Sequence, residues 1–184
     1  MQITSIAVIG AGPLGREIAY FAAKAGYQTV LEDVNSETID RGLTAIHEWL
    51  QAALELNDEE RGGALARIST SRSIEDAMRA AELVIDTTID ELETKLEVFT
   101  IFDKFARPGA ILCCCTVSLS VADIATITFR AERCVGLRFA ANLGPQLNQV
   151  EIVKSSQTDG NVVDTCVEVM RRLGLDTAVI SETS

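Results

Sequence analysis

The run Gly10-Ala11-Gly12-Pro13-Leu14-Gly15 is where residue type and spacing speak most directly of chemistry. Glycines at this spacing, placed after the apolar stretch Ile3 to Ile9 and before a helical pattern, form a turn that offers backbone N–H groups to phosphate. Gly10 permits the tight turn, Gly12 lets the backbone approach a pyrophosphate, and Gly15 lets the helix pack close to the strand. Pro13 suits the first helical position, where its missing N–H costs nothing, and Leu14 follows it into the first turn. The helix N-terminus adds unpaired donors and a partial positive charge. Asp33 lies 23 residues after Gly10, at the end of a second apolar run, where a carboxylate accepts hydrogen bonds from ribose hydroxyls. It also repels a 2′-phosphate, and Glu32 beside it is expected to add to the repulsion. The expected cofactor is NAD rather than NADP.

Other reactive residue types say less. The chain has five cysteines, of which Cys113, Cys114 and Cys115 are adjacent. Neighbours on a strand face opposite ways, so these thiols do not chelate one metal together. There is no Cys-x-x-Cys, and the one histidine, His47, sits on a helical stretch where a solvated position is expected. The cysteines read as small apolar core residues in a reducing compartment, with no metal site. A net charge of −11 argues against nucleic acid or an anionic membrane surface as partner, since both repel an acidic protein. No apolar run approaches the ~20 residues that span a bilayer. The opening Met1-Gln2-Ile3-Thr4 carries no basic leader, and a cytoplasmic protein is expected.

These residues need elements to hold them. After the first strand, Leu14, Ile18, Phe21 and Ala22 mark a helix from Pro13 to Ala25 that stops at Gly26. Tyr27 to Leu31 is a second strand. A long helix follows from about Ser36 to Leu56, with Ile39, Leu43, Ile46, Leu50 and Leu54 as its apolar stripe. Asn57-Asp58-Glu59-Glu60 caps another helix. Further strands are expected at 68–71, 83–85, 111–115, 134–137, 150–153 and 177–180, with a small helix opened by residues 73–76 and capped by Ser73, and helices at about 92–105, 121–127 and 160–173. Strands alternating with helices predict an α/β fold: a doubly wound, mainly parallel sheet of Rossmann type. Residues 1–184 carry no repeat or long linker, and one domain is expected.

The chain also resembles the N-terminal, NAD-binding domain of the L-3-hydroxyacyl-CoA dehydrogenases, from about Ile6 to Ile180. The resemblance rests on AVIGAGPLG, LEDV, AELVIDTTIDELETKLEVF, TVSLSV, VGLRF and QVEIV, in the family's order. It implies oxidation of the 3-hydroxyl of an acyl-CoA by hydride transfer to NAD, within fatty acid metabolism. In the family a histidine held by a glutamate takes the hydroxyl proton, and a serine hydrogen-bonds the reacting oxygen. An acidic residue and a lysine five positions later line the NAD site; Asp90 and Lys95 match them and become expected cofactor contacts.

The reactive positions depart from that pattern. Where the family has its histidine after Gly-Leu, this chain has Arg138, and Val117 replaces the reactive serine in Thr116-Val117-Ser118-Leu119. Glu151 matches the glutamate, one residue farther along than expected, and Asn142 is displaced by the same insertion. Trp49 and Leu56 stand near the places of lysines that would contact CoA. A guanidinium stays charged and accepts no proton, unlike an imidazole. Either Arg138 pairs with Glu151 as a structural lock, or it binds a carboxylate or phosphate of another ligand. Ser118 replaces the missing hydroxyl only if a local turn redirects it. The family's helical C-terminal domain closes over substrate and makes most of its dimer contact; its absence here predicts a homodimer, or a partner chain supplying the cover. The resulting expectation is an NAD(H)-binding oxidoreductase with Glu151, Arg138 and Ser118 at its reactive site, acting on an acyl-CoA or 3-hydroxy-acid. The alternative is a non-catalytic NAD(H)-binding sensor or assembly subunit.

Overall fold

The computed structural model describes residues 2–139 and 147–182. The first half runs β1 (Ser5–Ile9), α1 (Pro13–Lys24), β2 (Gln28–Glu32), α2 (Ser36–Ala52), α3 (Asp58–Ala66), β3 (Ile68–Ser71), α4 (Ile74–Met78) and β4 (Leu83–Asp86). The second half runs α5 (Leu92–Phe105), β5 (Ile111–Cys115), α6 (Val121–Ala125), a short 3-10 turn, β6 (Cys134–Phe139), β7 (Gln149–Lys154), α7 (Gly160–Arg172) and β8 (Asp176–Ser181). The strands form one sheet in the order β3-β2-β1-β4-β5-β6-β7-β8. This is the expected doubly wound, mainly parallel architecture.

The local chemistry explains the boundaries. Gly26, at φ 99°, ends the segment after α1 as a left-handed residue. The Asn57 side chain and Glu60 close a reciprocal capping box on α3. That cap needs extended backbone ahead of it, so α2 stops at Ala52 and Ala53 leaves the helix at ψ 95°. Leu54, expected on the apolar stripe, is instead 93% exposed. The single reversal is between β6 and β7, which pair antiparallel. No helical period lies between them in the sequence, and a parallel return requires a crossover.

Alternation along the strands splits the core into two layers. Ile6 and Val8 face one cluster with Ile18, Ile46, Leu50 and Met170, under α1, α2 and α7. Ala7 and Ile9 face the other with Met78, Phe99, Phe102 and Ile124, under α4, α5 and α6. The chain leaves β1 for β2 on one side and returns at β4 on the other, so a crevice opens at the carboxyl ends of these strands.

Candidate functional site

The glycine turn lies at the mouth of that crevice. Gly10 adopts φ 100° and donates its N–H to the Glu32 carbonyl at 2.8 Å, tying β1 to β2. A Cβ on Gly15 would lie 1.8 Å from the Gly10 carbonyl oxygen, so only glycine allows this approach of helix to strand. A Cβ on Gly12 would meet no protein atom within 4 Å, so the space beside it is open to a pyrophosphate. Pro13 opens α1, and no side chain caps this helix end. Its N-terminal N–H groups are left for a ligand. The residues therefore fit a dinucleotide phosphate.

Asp33 stands directly over this turn. Its Oδ2 accepts from the Ala11 N–H at 3.1 Å and its Oδ1 from the Asn35 N–H at 2.9 Å. The carboxylate is fixed where it can receive ribose hydroxyls. Glu32 corrects the expectation made for it: it is 2% exposed and lies inside the protein, so repulsion of a 2′-phosphate rests on Asp33. Burial pushes the Glu32 carboxyl up to about 7, with the Asp33 charge adding to the rise. Its Oε1 has no hydrogen-bond partner. Thr87, which sequence reasoning missed, locks the turn from β4: its Oγ1 donates toward the carbonyls of Ile9 and Gly10, both at 2.9 Å.

Lys95 is also corrected. It is fully buried, and its ammonium lies 2.8 Å from the buried Asp86 carboxylate and 3.0 Å from the Thr88 carbonyl. Asp86 in turn accepts from the Thr88 N–H at 2.9 Å and its hydroxyl at 2.6 Å. Lys95 thus shapes the loop after β4 from beneath and offers no exposed ammonium to a cofactor. Asp90 is exposed and accepts from the Val117 N–H at 2.8 Å, joining the loops after β4 and β5. Between these loops, Leu14, Thr87, Thr116, Val117 and Phe139 line a cleft of about 150 Å³ that continues the crevice past the phosphate turn.

Of the residues expected at a reactive site, Ser118 follows β5, Arg138 lies near the end of β6 and Glu151 lies on β7. β5 ends at Cys115 and residues 116–119 bend, with the Leu119 N–H bonded to the Thr116 hydroxyl at 2.9 Å. The chain bends at Ser118, but Ser118 lines a different space from the cleft that Val117 lines. Ser118 and Arg138 line one cavity of about 620 Å³, together with Ser120, Asp123 and Glu182. Val117, 77% exposed, presents methyl groups instead of a hydroxyl. Glu182 uses both carboxylate oxygens to hold the N–H groups of Val121 (2.8 Å) and Ala122 (2.9 Å) at the start of α6. Gly136 lets α6 come this close to the sheet, because a Cβ there would lie 2.5 Å from Val121 Cγ2.

Arg138 and Glu151 stand directly opposite each other in the antiparallel ladder. The extra residue between them in sequence leaves no gap in the register. The structural lock, however, is not formed: no ion pair joins them, and the buried Nε of Arg138 has no hydrogen-bond partner. Asn142 lies outside the described residues. His47 is exposed on α2, away from the crevice. All five cysteines are free and buried; burial raises the thiols of Cys114, Cys115 and Cys134, and the sulfur contact with Cys166, followed by burial, raises that of Cys113. Among the described residues no cluster of ligand side chains fits a metal, and no helix is long and apolar enough to cross a membrane.

Fold and glycine turn together define a Rossmann-type dinucleotide-binding domain. The family described as "3-hydroxyacyl-CoA dehydrogenase, NAD binding domain" matches residues 5–183, and the chain belongs to it. NAD is its cofactor. The 3-hydroxybutyryl-CoA dehydrogenase of Bradyrhizobium diazoefficiens is 32% identical over 180 residues, covering 96% of this chain and 61% of that protein. The human mitochondrial hydroxyacyl-coenzyme A dehydrogenase is 30% identical, over 94% of this chain and 57% of its own length. The crystal structure of the Escherichia coli K12 3-hydroxybutyryl-CoA dehydrogenase superposes with a TM-score of 0.93 at 31% identity, covering 100% of this chain and 39% of that one. The chain therefore spans about 40–60% of the length of these relatives.

Proposed function

We propose that this chain is the NAD(H)-holding domain of an oxidoreductase that moves hydride between C3 of a 3-hydroxyacyl or 3-hydroxy-acid substrate and the cofactor. The observation that carries the reading is Asp33 held over the glycine turn by the Ala11 N–H, an acidic end fixed where ribose hydroxyls belong. When bound, the cofactor supplies the hydride acceptor or donor. In the oxidative direction the hydroxyl must also lose a proton, and Arg138 cannot take it. Glu151, across the ladder from Arg138, is the group assigned to accept it. Ser118 donates a hydrogen bond to the reacting oxygen, and Arg138 supplies the fixed positive charge beside it. Calorimetric titration with NADH, NAD+ and NADPH, repeated with acetoacetyl-CoA, tests this. Binding of NADH, rejection of NADPH and a further acyl-dependent heat are expected; failure to bind NADH would overturn it.

A second reading is a non-catalytic NAD(H)-binding module, favoured by Arg138 and by Val117, whose methyl groups do no acid–base chemistry. Binding of NADH without hydride transfer to any 3-oxo or 3-hydroxy substrate would select it. In either case Val34, Ile89 and Val117, all more than half exposed, leave apolar surface around the crevice. The proposed cover is a second copy of the chain, or a partner chain. Five unpaired cysteines support a reducing, cytoplasmic location.

A further inference from the structure

We propose that the cavity beside Arg138 binds a small organic carboxylate, so that the substrate is a free 3-oxo or 3-hydroxy acid instead of a thioester. The inference rests on the oxidoreductase reading above and names its substrate class. Among the described residues, Arg138 is the only cation lining the 620 Å³ cavity. Its Nε is buried without a partner, and its guanidinium forms no ion pair with Glu151, Asp123 or Glu182. Glu182 is already occupied at the start of α6, where each of its oxygens holds a backbone N–H.

A guanidinium cannot shed its charge, and Arg138, half-buried with its Nε unpartnered and without a counter-ion, leaves that charge for a ligand to meet. Its planar fork matches the two oxygens of a carboxylate. A thioester carbonyl offers one neutral acceptor and leaves the charge uncompensated. The cavity falls within the ~300–1,000 Å³ typical of small-molecule sites. The Ser118 and Ser120 hydroxyls line the same space and can bond a second oxygen of the ligand. Leu137 and Phe139 point to the opposite face of β6 from Arg138 and line the cleft that continues from the phosphate turn, so the two spaces lie on either side of the strand ends, with Val117 lining one and Ser118 the other. The carboxylate sits on the Arg138 side, with the rest of the acid reaching over the strand end.

The test is titration of the NADH-saturated chain with acetoacetate, its neutral methyl ester and inorganic phosphate, followed by calorimetry and ligand-observed NMR. Acetoacetate is expected to bind at least about tenfold tighter than the ester, the effect of one charge-assisted pair. Arg138→Met should abolish that preference, and Arg138→Lys, which keeps the charge without the fork, should retain part of it. Equal affinity for acid and ester, an unchanged preference in Arg138→Met, or displacement by phosphate at equal affinity would overturn the assignment. If Arg138→Met does not fold, the acid–ester comparison in the unmodified chain and Arg138→Lys decide. Loss of NADH binding with acetoacetate still bound would defeat the oxidoreductase reading and leave this site standing.

Discussion

At the scale of single residues, adjacent acids have opposite fates. Asp33 faces the crevice and takes two backbone N–H groups, while Glu32, one residue earlier, is buried. Asp33→Asn keeps an acceptor but removes the charge. We expect NADH affinity to fall about tenfold, the scale of one charged hydrogen bond, with discrimination against NADPH relaxed, both read by calorimetry. Glu32 gives a pH dependence of definite sign. Its folded-state pKa of about 7 lies above its ordinary 4.5, so the folded chain keeps a proton that the unfolded chain has lost. Stability attributable to Glu32 therefore declines as pH rises from about 4.5 through about 7 and is flat above. Thermal unfolding on both sides of that window should show a smaller decline in Glu32→Gln than in the parent chain. Glu32 was misread because two acids at a strand end look equally solvated. The alternation that separates them is visible only once the strand end is fixed. The glycines and Asp33 were legible because backbone geometry itself demands them.

At the scale of elements, charged residues join the loops to the layers. Lys95 reads from sequence as a cofactor contact. In the fold it is buried against Asp86 on β4, and the pairing exists only when α5 packs on the sheet. Lys95→Met should cost about 3–5 kcal/mol in urea unfolding by stranding a buried carboxylate, and Asp86→Leu with Lys95→Met should cost less. Gly136 was equally silent in the sequence: nothing local marks the glycine beneath α6. Gly136→Ala forces a Cβ within 2.5 Å of Val121 Cγ2 and 3.0 Å of Val153 Cβ. We expect a loss of about 1–3 kcal/mol, partly relieved by Val121→Ala in the same chain. The strands and most helices were legible from their periods. The end of α2 was not, because the apolar period ran on through Leu54 while the Asn57 cap dictated extended backbone.

At the scale of the whole molecule, one edge of the sheet carries the phosphate turn, both clefts and the exposed Val34, Ile89 and Val117. A surface with this much apolar exposure is expected to be covered in solution. Light scattering at micromolar concentration should give the mass of a dimer. A monomer with an unchanged NADH affinity would count against the second copy as cover. The doubly wound order followed from alternation of strands and helices. The antiparallel step between β6 and β7 was implicit in the missing helix. What no local pattern conveyed is that this step sets Arg138 opposite Glu151 without joining them.

The grip of Glu182 on Val121 and Ala122 has a kinetic corollary. These amides have no earlier helical carbonyl to protect them, so their exchange with deuterated solvent reports how often the segment after β8 lets go of α6. Protection at Val121 and Ala122 that rises and falls together with that of the β8 amides would mean that the serine-lined wall and the sheet edge open as one cooperative unit. A ligand seated between them would then slow the breathing of both.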